Sequence, residues 1–144
     1  MTRRASAAFA GAQQTMRATG SVAAELRALA TRIHTRTLSA DGLALYRLAV
    51  AEGPRFAGLR KAVLGSGMHG FLTRLADYFA QLKTSGRLHV GEPMLAAERF
   101  LALVQGQQQF IAGCGDVKRY TLARRTQHVK TAIEAFMRIY PIGR

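Results

Sequence analysis

A single cysteine, Cys114, stands in 144 residues. No disulfide can close within the chain, and a zinc site built on paired cysteines is excluded; a reducing, cytoplasmic setting is expected. Acidic residues are also scarce, with eight Asp and Glu against 21 Lys and Arg and a formal net charge of +13. Long apolar runs are missing although 49% of the residues are hydrophobic. None approaches the roughly 18–20 residues that cross a bilayer, so no membrane partner is expected. Met1 to Arg4 followed by Ala5 to Ala12 imitates a signal peptide in charge only, because its apolar part is alanine with one Phe9. β-Branched residues are thin, which leaves little from which to build strands.

What remains is rich in Ala, Leu, Arg and Gln, all good helix formers, and the length suits one domain able to bury about two thirds of its unfolded surface. An all-α fold of about six helices is expected. Ser21 caps a first helix to about Thr37, with Val22, Leu26, Leu29 and Ile33 at helical spacing. A second runs from about Gly42 to Glu52 and stops at Gly53-Pro54. A short helix over 55–64 is then broken by Gly65-Ser66-Gly67, before a longer one through Phe71, Leu75, Phe79 and Leu82 to a C-terminal Gly86. Pro93 behind a capping Glu92 opens a helix to about residue 112, and a last helix spans about 118–140 and ends at Pro141.

Two of these punctuation segments carry more. They are Ala51-Glu52-Gly53-Pro54-Arg55-Phe56-Ala57-Gly58-Leu59 and Gly86-Arg87-Leu88-His89-Val90-Gly91-Glu92-Pro93-Met94-Leu95-Ala96-Ala97. Together they resemble the effector-binding, dimerising C-terminal half of TetR/AcrR-type transcriptional regulators, especially the AefR-like subgroup. Ala57 stands where that motif usually has proline. The resemblance covers roughly residues 20–140 and implies a domain over 21–141. Residues 1–20 form a lead-in, either a remnant of the family's linker helix or disordered. The family's helix-turn-helix would precede this half, and Met1 to Gly20 contain no recognition-helix pattern; DNA is then reached only through a domain outside this sequence.

The resemblance also assigns roles. Ala102, Gly106 and Phe110 are spaced so that small residues admit a close partner helix while the phenylalanine fills a groove, and packing within one chain explains this as well as dimerisation does. The family tips the reading towards a homodimer, in which Ala102, Leu103, Gly106 and Phe110 meet Val129, Ile133, Phe136 and Tyr140 in a four-helix bundle made by the last two helices of each copy. His34, Tyr46, Met68, Phe71, Leu75, Gln105 and Gln108 combine apolar volume with a few polar groups. They suit either a plain core with hydrated glutamines or a pocket for a small apolar or aromatic effector, and the family favours the pocket.

Other motifs carry less. Gly65-Ser66-Gly67-Met68-His69-Gly70 matches G-x-G-x-x-G, but no strand precedes it and no βαβ unit surrounds it. His34, His69, His89 and His128 show no metal-ligand spacing, and no nucleophile is accompanied by a base. Neither catalysis nor a cofactor is expected. The alternative is a free-standing basic helical protein that binds nucleic acid or an acidic partner through the cations between Lys118 and Lys130, although no aromatic interleaving accompanies them.

Overall fold

The computed structural model describes residues 21–143, all of whose regular structure is helical apart from one isolated antiparallel bridge between Leu88 and Ile142. The lead-in assigned to 1–20 lies outside the described residues. Helix α1 (Val22–Thr37) starts where the Ser21 hydroxyl accepts from the Ala24 N–H, and α2 (Ala40–Glu52) starts on an equivalent bond from the Gly42 N–H to Ser39. Then follow α3 (Ala57–Lys61), α4 (Gly70–Thr84), α5 (Pro93–Gln105), α6 (Gln108–Ile111) and α7 (Leu122–Ile139). The Glu92 carboxylate accepts from the Met94 N–H and Thr121 does the same for Arg124, so both long C-terminal helices are capped by their own sequence.

Two expected breaks are placed differently. Between α3 and α4 the backbone does not break at Gly65-Ser66-Gly67. It continues as a π-helix over Ala62–His69, with right-handed helical residues at both junctions. Glycine weakens a helix without forbidding it, and the wider π turn takes up the extra residue that a regular ladder would not accommodate. Conversely, the helix opened by Pro93 does not reach residue 112. It ends at Gln105 because Gly106 adopts φ 53° and ψ −150°, a conformation for glycine alone, and a short π segment (Ala112–Asp116) and a 3₁₀ turn (Val117–Arg119) delay the start of α7.

Helices α1, α4, α5 and α7 form the bundle, and its centre is aromatic. Phe79 of α4, Phe100 of α5 and Phe136 of α7 are each fully buried, with ring centroids 5.1 to 5.5 Å apart and two of the three contacts edge-on. Leu26 and Leu29 of α1 join the same cluster. A polar clamp closes one side: buried Glu25 of α1 accepts from the Tyr78 hydroxyl of α4 and from Arg87 in the α4–α5 connection, each at 2.9 Å. The C-terminal tail seals that connection, since the His89 N–H donates to the Pro141 carbonyl and the Gly143 N–H to the Arg87 carbonyl.

Helix α2 stands aside. Only its Leu43 is buried, and it packs with Leu38, Ala112 and Tyr120 in a smaller cluster. Stability is thus concentrated in the aromatic centre. Phe136→Ala should remove about 3–5 kcal/mol of unfolding free energy, the usual cost of such a truncation, read as a lower urea midpoint at unchanged slope.

Candidate effector site and dimer face

His34, near the end of α1, is only 1% exposed. Its Nε2 lies 2.5 Å from the Oε1 of Gln108 on α6, and because a carbonyl oxygen can only accept, Nε2 carries the proton. The ring stacks on His128 of α7 at 5.0 Å between centroids. His128 in turn donates from Nε2 to the Val104 carbonyl at 2.7 Å, satisfying one of the carbonyls left over where α5 ends. Beside this pair, Gln105 donates to the Thr37 hydroxyl at 3.4 Å. The amides at 105 and 108 are therefore engaged with α1, joining residues some seventy positions apart.

Tyr46 of α2 packs on the segment that follows α6. A Cβ on Gly113 would stand 2.6 Å from its ring, so only glycine permits this approach. Arg47 adds two bonds to the same segment, from Nε to the Gly113 carbonyl and from Nη2 to that of Ala112. Sequence reasoning overlooked Thr37, Arg47 and His128. Regular spacing gives no signal for them.

The remaining expected pocket residues divide. Leu75 is fully buried in the main core, Phe71 is half-buried against it, and Met68 on the π segment is 48% exposed. The Nε of Arg74, next to Leu75, is buried without a hydrogen-bond partner. Two open surface depressions lie elsewhere: a wide one of about 450 Å³ along Ala24, Ala28 and Thr31 of α1, and a groove of about 210 Å³ between α2 and the π segment.

The expected dimer residues also divide, and here the assignment needs correction. Val129, Ile133, Phe136 and Tyr140 all point into their own chain's core, so they offer no surface to a second copy. Periodicity identified the apolar face of α7 without saying what covers it. By contrast, Ala102 and Gly106 are exposed, Leu103 is half-buried, and Phe110 is 64% exposed. Leu95 on α5 and Ile139 on α7 are exposed as well. Gly106 is a helix terminator rather than a mid-helix small residue.

The cations between 118 and 130 are partly spent at home. Arg119 is paired with Asp116 at 2.7 Å, and Arg125 donates to the Tyr120 carbonyl. No group of three or more His, Cys, Asp or Glu is placed to hold a metal among the described residues, and no helix there is long and apolar enough to cross a membrane.

This helical arrangement is shared by known proteins. The model of the AefR-like transcriptional repressor C-terminal domain matches residues 24–142. The chain belongs to that family. Two solved structures have the same fold: a TetR-family transcriptional regulator assigned in Mesorhizobium loti MAFF303099, 23% identical with a TM-score of 0.83 over 96% of this chain and 70% of that one, and the Flavonoid-responsive Regulator FrrA, 22% identical with a TM-score of 0.74 over 94% and 72%. No curated protein matches. The chain spans about seven-tenths of the length of each of those two proteins.

Burial holds the His34 pKa below the ordinary imidazole value of 6.5, opposed by the Gln108 bond and reinforced by His128 and Arg125. The unfolded chain therefore binds this proton more readily than the folded one. Stability from His34 is complete above pH 6.5 and is lost as pH falls from there through the folded value. The melting temperature should drop between pH 7 and pH 5, and the drop should shrink in His34→Gln, measured by circular dichroism in buffers of equal ionic strength.

Proposed function

We propose that this chain is the effector-binding and dimerisation module of a cytoplasmic TetR-type regulator. Membership of the AefR-like family supports the reading, and one observation carries it. α5 and α7 are locked to each other through Phe100 and Phe136, yet Leu95 and Ala102 of α5, Phe110 of the short α6 and Ile139 of α7 are left uncovered. Exposed apolar side chains on helices held by the core suit self-association. The face is the one expected for α5, while α7 contributes the edge around Ile139 instead of its core stripe.

The effector reading places a small, mostly apolar ligand among Tyr46, Met68, Phe71, Gln105 and Gln108. A ligand there competes for the Gln108 amide that His34 now holds, so binding would loosen or tighten α1 against α6 and α7 and bias the domain's packing. Through the dimer, that bias would reach DNA-binding domains and set operator affinity. The flavonoid response in the name of one structural neighbour makes flavonoids sensible members of a probe panel.

Two measurements test the module. Phe110→Asp should convert a dimer to monomer in multi-angle light scattering without lowering helicity, because the residue is exposed in the single chain; a monomeric wild type, or an unchanged dimer in the variant, overturns the interface. Gly106→Leu is unsuited to this test, since its backbone conformation and the His128 ring 3.1 Å from a Cβ would strain the fold itself. For the effector, a stabilising aromatic compound at a hundred times its Kd should add about 2.7 kcal/mol of stability. Gln108→Ala should change that response, and a broad panel without any stabilisation overturns the ligand reading.

A further inference from the structure

The groove between α2 and the π segment has a construction of its own. Ala49, Val50 and Pro54 form one wall, Val63 and Leu64 the other, and Arg60 stands at its edge, with a volume of about 210 Å³. Val50 is 60% exposed and Leu64 52%, so two large apolar side chains face solvent across a depression almost without polar lining. Arg60 donates from Nη1 to the Gly53 carbonyl at 3.0 Å. That bond fixes the guanidinium beside the groove and leaves its other N–H groups for a ligand.

Charge selects the ligand. Between residues 47 and 68 the only acid is Glu52, against Arg47, Arg55, Arg60 and Lys61. Arg47 is committed to the Ala112 and Gly113 carbonyls, and Arg55 lies over the Phe56 ring at 5.8 Å. Arg60 is the cation that the groove itself presents. We propose that this groove binds a small amphipathic organic acid, its aromatic or aliphatic body between Val50 and Leu64 and its carboxylate on Arg60.

This groove shares no lining residue with the effector region around His34 and Gln108, although Tyr46 and Met68 of that region lie on the same two elements. It joins α2 to the π segment, and the tight Gly53-Pro54 turn gives it a fixed floor. A π-helical stretch inside a longer helix is a place where backbone register can change by one residue. An acid bound across the groove would hold α2 to the present register of that stretch.

The test uses the full chain at low ionic strength, because an exposed Arg–carboxylate contact is weakened by salt. The chain contains no tryptophan but Val50→Trp adds one at the site, so binding of 2-naphthoate is read by titration calorimetry rather than by fluorescence. 2-Naphthoate should bind about tenfold more tightly than neutral 2-naphthamide. Arg60→Gln should abolish that difference, and Val50→Trp should exclude both compounds; each residue is exposed, and an unchanged melting temperature would verify that each variant folds. No binding of naphthoate, or binding indifferent to both substitutions, overturns the proposal. Binding lost in Gln108→Ala but kept in Arg60→Gln and Val50→Trp also overturns it, while leaving the effector reading intact.

Discussion

The contact among Phe79, Phe100 and Phe136 is the constraint on which the rest of the domain depends. Each ring belongs to a different helix, and each is shut off from solvent. Burying three such rings supplies roughly 1.5–3 kcal/mol apiece before their mutual geometry is considered. Because they meet at near-equal distances, α4, α5 and α7 cannot slide singly without opening a void in a close-packed centre. α1 then lies along this unit through Leu26 and Leu29, and the Glu25 clamp ties it to α4. That clamp is a position-fixing device as much as a stabiliser. A buried carboxylate is tolerable only where its oxygens are satisfied, so Tyr78 and Arg87 have one place to be.

Local chemistry was the most legible part of the sequence. Ser21 and Glu92-Pro93 start helices where expected, and Gly86 follows the end of α4, because caps act through bonds within one turn. The two failures involve glycines whose outcome is set by distant residues. Gly65 and Gly67 read as a break, yet the backbone stays right-handed helical through a π-helix that runs into α4, whose Leu75, Phe79 and Leu82 are anchored in the core. Gly106 read as helix interior, yet the close ring of His128 and the carbonyl that it caps belong to a turn. A glycine permits both outcomes, and neighbours far along the chain choose between them.

The interface residues teach a related point. Val129, Ile133, Phe136 and Tyr140 have the spacing of an apolar stripe, and that stripe is real. A stripe must be covered by something, but periodicity is silent on whether the cover is the same chain or a second copy. Here α1, α4 and α5 already cover it. Leu95, Ala102 and Phe110 carry the opposite signal: they lie on the side of α5 and α6 turned away from the core. His34 and Gln108 were both legible as candidates because a polar group among apolar neighbours demands a partner. That each is the other's partner was not legible, since 74 residues separate them.

These contrasts divide the domain into a stiff part and an adjustable one. α4, α5 and α7 share one aromatic centre, so a displacement of any one is resisted by the other two. α2 has a single buried residue, is held to the Ala112–Asp116 segment through Tyr46 and Arg47, and meets a π-helix with three glycines in and beside it. Few buried apolar contacts and a permissive backbone define a region of low local stability, from which ligand-responsive elements are drawn. The His34–Gln108–His128 junction sits where the two parts meet: α1 supplies His34, α7 the stacked ring, and α6 an amide only two residues from Phe110 on the proposed dimer face. A ligand that takes the amide from His34 therefore acts on a residue already coupled to the stiff helices, whereas one bound in the Arg60 groove acts on the adjustable hairpin.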